Sequence, residues 1–181
     1  MEAYQYKISK KESKVITVMG DFPKDSTFLY IFHADKIPPH IGFVDHNLFY
    51  SLKANSIDLA LNVDRINQMI LRKKIPTLII ELNAFHLESD FILDLFGSYG
   101  NKLDSGITCL NPIDILLHGE VKHKKIGELL DTLTKNQRIQ KVFSFALPEN
   151  YNGIKNYSIN DIENRIFELQ CLKEKEYICD K

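Results

Sequence analysis

The chain has 181 residues, with 23 Lys and Arg set against 24 Asp and Glu, so it carries a formal net charge of −1 at pH 7. That balance argues against a nucleic-acid protein relying on a strong positive field. The apolar and charged fractions are those of an ordinary globular chain, long enough to bury a full core in one domain. No apolar run nears the roughly 20 residues that span a bilayer, and "MEAYQYKISKKESK" lacks the apolar stretch of a signal peptide, so a cytoplasmic location is expected.

Residues 1–13 read either as a loose leader or as an early edge strand. "KVITVMGDF" (14–22) alternates and is β-branched, predicting a strand that ends at Gly20. "STFLYIFHA" (26–34) predicts a second strand, followed by a "KIPP" turn. "HIGFV" (40–44) and "LFYSLK" (48–53) flank "DHN", a hairpin signal. With His46 and Asn47 at the centre of the turn, Val44 faces Phe49 and Gly42 faces Ser51. Ser51 then shares a sheet face with His40.

"SIDLALNVDRINQMILRKK" (56–74) places Leu59, Val63, Ile66 and Ile70 on a helical stripe. It predicts one helix, capped by Ser56 and stopped by Pro76, and the basic "LRKK" suits its last turn. "TLIIELN" (77–83) predicts a strand. "ESDFILDLFGSYG" (88–100) predicts a short helix with Ser89 as a cap. "NKLDSGIT", with Asp104, Ser105 and Gly106, reads as a polar loop, and "CLNPIDILL" as a helix beginning near residues 108–111, where Pro112 is tolerated. "KIGELLDTLTKN" (125–136) predicts a helix and "QKVFSFALP" (140–148) a strand. A last helix covers 158–176, capped by Ser158 or Asn160, with residues 177–181 as a loose tail. The pattern gives an α+β domain: a small antiparallel sheet or partial barrel with packed helices.

Two residues carry the functional reading. Cys109 lies where a loop hands over to a helix, and a helix N-terminus favours the thiolate. His40 opens a strand after two prolines, and Gly42 two residues on leaves room for another group to approach. A cysteine and a histidine in these settings suit nucleophilic catalysis, with the imidazole shuttling the proton. A third group would orient the imidazole. Ser51 shares its face, and Glu81, set in the apolar "LIIELN", must be paired, at an edge, or functional. Of the remaining histidines, His46 reads as a turn residue, His33 as a strand end, and His86, His118 and His123 as surface positions. Cys171 falls on a helix and Cys179 in the tail. With three cysteines in all, no disulfide framework is expected. There is no His-Glu-x-x-His, Cys-x-x-Cys, glycine-rich phosphate loop or G-x-S-x-G elbow, so neither a metal nor a cofactor is expected.

"HIGFVDHNLFYSL" resembles the histidine strand of papain-like enzymes of the NlpC kind. With His40 first and Cys109 following, the order resembles the circularly permuted branch that includes lecithin–retinol acyltransferase-like proteins. The resemblance covers residues 40–53 and, loosely, 105–117. It implies a Cys109 thioester, His40 as general base, and a third polar residue near Ser51, acting on a small amide, ester or peptide. Backbone amides opening the Cys109 helix would stabilise the oxyanion. The rival reading is a non-enzymatic α+β binding or scaffold protein that uses helices 56–74 and 158–176 to meet a partner. A third is acid–base chemistry by Glu81 with a histidine.

Overall fold

The computed structural model describes residues 3–83, 88–100 and 106–179. In chain order it holds β1 (Tyr4–Lys7), β2 (Lys14–Val15), β3 (Thr27–Phe32), β4 (His40–Asp45), β5 (Leu48–Leu52), β6 (Ile57–Asn62), α1 (Val63–Lys73), β7 (Thr77–Leu82), α2 (Ser89–Gly97), α3 (Asn111–His118), α4 (Ile126–Lys135), β8 (Ile139–Phe145), β9 (Gly153–Lys155) and α5 (Ile159–Cys179). The expected α+β content is present. A seven-stranded sheet runs β2-β8-β7-β3-β4-β5-β6, and β1 pairs separately with β9. Every neighbouring pair is antiparallel except β2 with β8.

The centre of the sheet is buried on both faces. All six residues of β3 are buried, and β7 is buried at all but Glu81. Strands covered on both sides read as apolar runs rather than alternations. Their alternation divides the core instead. Leu29, Ile31, Ile41, Phe43, Leu78 and Ile80 pack with Ile92, Phe96, Ile113, Leu129 and Leu133 of α2, α3 and α4. Phe28, Tyr30, Phe32, Val44, Phe49 and Ile79 pack with Val63, Ile66 and Ile70 of α1. At roughly 1.5–3 kcal/mol per buried large side chain, these two layers supply the main drive to fold.

The hairpin between β4 and β5 follows the sequence. Asp45 pairs with Leu48 and Val44 with Phe49, and His46 and Asn47 both take positive φ, at 44° and 70°. Two left-handed residues in a row match the twist of the flanking strands.

Residues 56–74 are not one helix. Residues 57–62 form β6 on β5, and only Val63–Lys73 is helical. Ile57, Leu59 and Leu61 alternate as well as they fit a helical stripe, and the edge of β5 supplies backbone partners that a lone first turn lacks. The cap is Asn62, whose side chain accepts from the Asp64 amide at 2.8 Å, rather than Ser56. The pairing is bulged: Phe49 faces Leu61 and Ser51 faces Asp58, so Leu59 and Ala60 oppose Tyr50 alone. Ala60 takes φ 50° there.

Other boundaries also move. The strand expected over 14–22 is confined to Lys14–Val15, because Asp21 draws the amides of Thr17 and Val18 to its carboxylate and closes a turn. Glu88, not Ser89, precedes α2 as its cap residue. Ser158 does cap α5, exchanging hydrogen bonds with Asp161. Residues 4–7, left open between leader and edge strand, form β1 against β9, a strand the sequence does not announce. His86, Asp104, Ser105 and the last two residues lie outside the described residues.

Candidate functional site

A cavity of about 980 Å³ opens where β4 and β5 part. Their paired register stops at Phe43 and Tyr50, one step before Gly42 and Ser51. Beyond that point a side-chain bridge joins the strands: His40 Nε2 lies 2.6 Å from Ser51 Oγ. Ser51 is fully buried and His40 half-buried. The imidazole stacks on Phe32, with ring centroids 5.9 Å apart. Burial, then the nearby charge of Lys53, pushes His40 down to about 4, so its ring is neutral at pH 7. The space beside Gly42 is not open to a ligand, since the ring of Phe49 would stand 2.5 Å from any Cβ there.

Cys109 lines the same cavity, just before α3. Its thiol is pushed up by burial, against the opposing pull of the Ile41 amide and its own amide. The expectation of a helix end favouring the thiolate is therefore corrected. Two of the amides that would serve that end are already spent. Leu110 N–H donates to Thr108 Oγ1 at 3.2 Å and Asn111 N–H to the Thr108 carbonyl at 3.1 Å, while position 112 is a proline with no N–H. These amides are equally unavailable to an oxyanion. Ile41 follows His40 directly, but the two point to opposite faces of β4. His40 stacks on Phe32 in the layer under α1, while Ile41 and Cys109 pack in the other layer, so the sulphur and the imidazole reach the cavity from different sides. No hydrogen bond joins them among the described residues.

Glu81 stands apart from this cavity. It lies on β7 between Phe28 and Lys141 and pairs with the Lys141 ammonium at 3.6 Å. A cross-strand ion pair accounts for a carboxylate in an apolar strand. Two side chains absent from the sequence reading complete the cavity near Cys109. Tyr157 is buried, its hydroxyl accepting the Ile126 amide at 2.9 Å, and Lys124 adds a cation. Helix α5 closes one wall with Ile162, Arg165, Ile166 and Leu169. Asn55 Nδ2 donates to the Leu169 carbonyl at 2.8 Å and fixes that helix over the β5–β6 turn.

A second polar cluster gathers around α3. Asp114 is fully buried, and His118 and His123 are mostly covered, so the surface reading of these two histidines is corrected. Asp114 Oδ1 accepts from His118 Nδ1 at 3.0 Å and from His123 Nδ1 at 2.7 Å. Its Oδ2 accepts the amides of Lys122 at 2.5 Å and His123 at 2.7 Å. Burial works to raise this carboxyl, but those amides and the His123 imidazole together hold it below the usual carboxylate range. The spacing of Asp114 and His118, one helical turn apart, was the available signal.

Among the described residues no helix is long and apolar enough to cross a membrane. No family model matches the chain, and no curated protein or solved structure matches it.

Proposed function

We propose that the chain is a thiol acyl-transfer enzyme, a hydrolase or acyltransferase of permuted papain-like architecture acting on a small amide, ester or peptide. The supporting observation is one cavity that holds Cys109, His40 and Ser51, with the His40–Ser51 bond at 2.6 Å. When Nε2–H donates to Ser51, the Nδ1 lone pair is left as the base. Nδ1 takes the Cys109 proton, and the sulphur attacks the acyl carbon to form a tetrahedral adduct. Nδ1–H then protonates the departing amine or alcohol as the C–N or C–O bond breaks, leaving a thioester. Water or an acceptor alcohol loses its proton to Nδ1, attacks the thioester, and the thiol recovers the proton. The amides of Ile41 and Cys109 stabilise the sulphur when its charge appears.

At rest the cavity holds a neutral thiol and a neutral imidazole. Attack is therefore general-base assisted and depends on a seated substrate. An activated acyl ester should acylate Cys109 in the wild type, be slowed by His40→Ala, and leave Cys109→Ala unlabelled with its fold intact. Equal labelling of Cys109→Ala would sink the proposal.

The second reading is a binding protein, favoured by the raised thiol and the lack of a hydrogen bond between Cys109 and His40. It predicts that His40→Ala leaves the acylation rate at Cys109 unchanged.

A further inference from the structure

We propose that Asp114, His118 and His123 bind one divalent transition-metal ion of the zinc class, through Asp114 Oδ1 and the Nδ1 atoms of both imidazoles. This site is separate from the thiol cavity and independent of what Cys109 does.

The three ligand atoms lie within 4.8 Å of one another. Two of the three groups, Asp114 and His123, are already held from behind, as metal ligands are. Two main-chain amides fix Asp114 Oδ2 and leave Oδ1 facing the imidazoles. His123 Nε2 lies 2.8 Å from Thr132 Oγ1 on α4, which sets the plane of that ring and turns Nδ1 inward. The rings of His118 and His123 meet edge to face at 5.1 Å, converging on one oxygen rather than stacking past it.

Ligand chemistry selects the ion. Two imidazole nitrogens and one carboxylate oxygen suit zinc, cobalt, nickel or ferrous iron. Magnesium and calcium call for a shell of oxygens and are disfavoured. A tetrahedral ion with bonds of about 2.0–2.1 Å needs its ligands about 3.3 Å apart. The present spacings of 2.7 and 3.0 Å must open by a few tenths of an ångström, which side-chain rotation supplies. His118 lies in the last turn of α3, where the exposed carbonyls favour positive charge. The side chains of His118 and His123 remain 12% and 11% exposed, so water can complete the shell from outside.

In the metal-free cluster each imidazole donates Nδ1–H to Asp114, and the ion displaces that proton from Nδ1. With the ion in place each presents the Nδ1 lone pair and carries its proton on Nε2, where Thr132 Oγ1 receives that of His123.

The test uses chelator-treated full-length protein titrated with Zn2+ alone. Calorimetry should give one equivalent, retained in Cys109→Ser and weakened at least tenfold in His118→Gln and in His123→Gln. Co2+ should give the visible bands of a tetrahedral site, and nitrogen-15 spectra of the wild type should show both imidazoles passing from the Nδ1–H to the Nε2–H tautomer as Zn2+ is added. If His123→Gln fails to fold, His118→Gln and the wild-type spectra decide. Absence of Zn2+ binding by the folded wild type, unchanged affinity in His118→Gln, or imidazole signals indifferent to Zn2+ would each overturn the proposal.

Discussion

Cys109 and Asp114 stand on one turn and the helix it opens, yet they are treated oppositely. Around Asp114 both carboxylate oxygens are taken, two by two, by amides and imidazoles, and the group stays charged while fully buried. Around Cys109 the donors are few, the sulphur and the His40 imidazole are both held neutral, and the two line one cavity without a bond between them among the described residues. The contrast separates two uses of a buried polar group. Complete pairing keeps a buried charge in place, whereas incomplete pairing leaves hydrogen-bonding capacity unused in the cavity wall.

The largest break in this comparison should come from Asp114→Ala. It strands two amides and two imidazoles together, and urea unfolding should show a loss of about 3–5 kcal/mol. A loss below 1 kcal/mol would show that the cluster does not hold α3 to α4.

Next in size is an acid effect. His40 sits at about 4 when folded and near 6.5 when unfolded. Between those values the unfolded chain binds a proton that the folded chain refuses, so stability rises with pH across the window. The contribution is complete above about 6.5 and fades as pH falls toward 4, by up to about 3 kcal/mol. His40→Gln should flatten the stability profile between pH 4.5 and 7; parallel profiles for the two proteins would contradict it.

The smallest effect, about 1 kcal/mol, is expected for Ser51→Ala, which removes one hydrogen bond at the cavity wall. Acylation of Cys109 should slow in that variant and be untouched by Glu81→Gln, whose partner is Lys141. A slowed Glu81→Gln would move the orienting role to β7.

Elements closed by neighbours in sequence were legible: the His46–Asn47 turn, the strand over residues 77–82, and the helix stopped before Pro76 all follow from local chemistry. What escaped depends on distant partners. The edge-strand reading of residues 1–13 holds for Tyr4–Lys7, but its partner β9, where Tyr4 meets Lys155 and Lys7 meets Gly153, lies about 150 residues away and is not announced in the sequence. Residues 57–62 satisfy two periodicities at once, and the edge of β5 chose between them. At the site, the turn arithmetic put Ser51 near His40, because a hairpin is local geometry. Cys109 goes the other way because burial raises its thiol, and Thr108 has already engaged amides that open the helix.

The bulge at Leu59 and Ala60 has a consequence for assembly. Strand β6 is one margin of the large sheet, and a straight margin there would offer a template to a second copy of the chain. With Ala60 left-handed, the row of donors and acceptors is thrown out of step midway along the strand. The opposite margin, β2, is only two residues long. A neighbour approaching either side of the large sheet finds no continuous ladder to extend, which disfavours edge-to-edge pairing of copies through it.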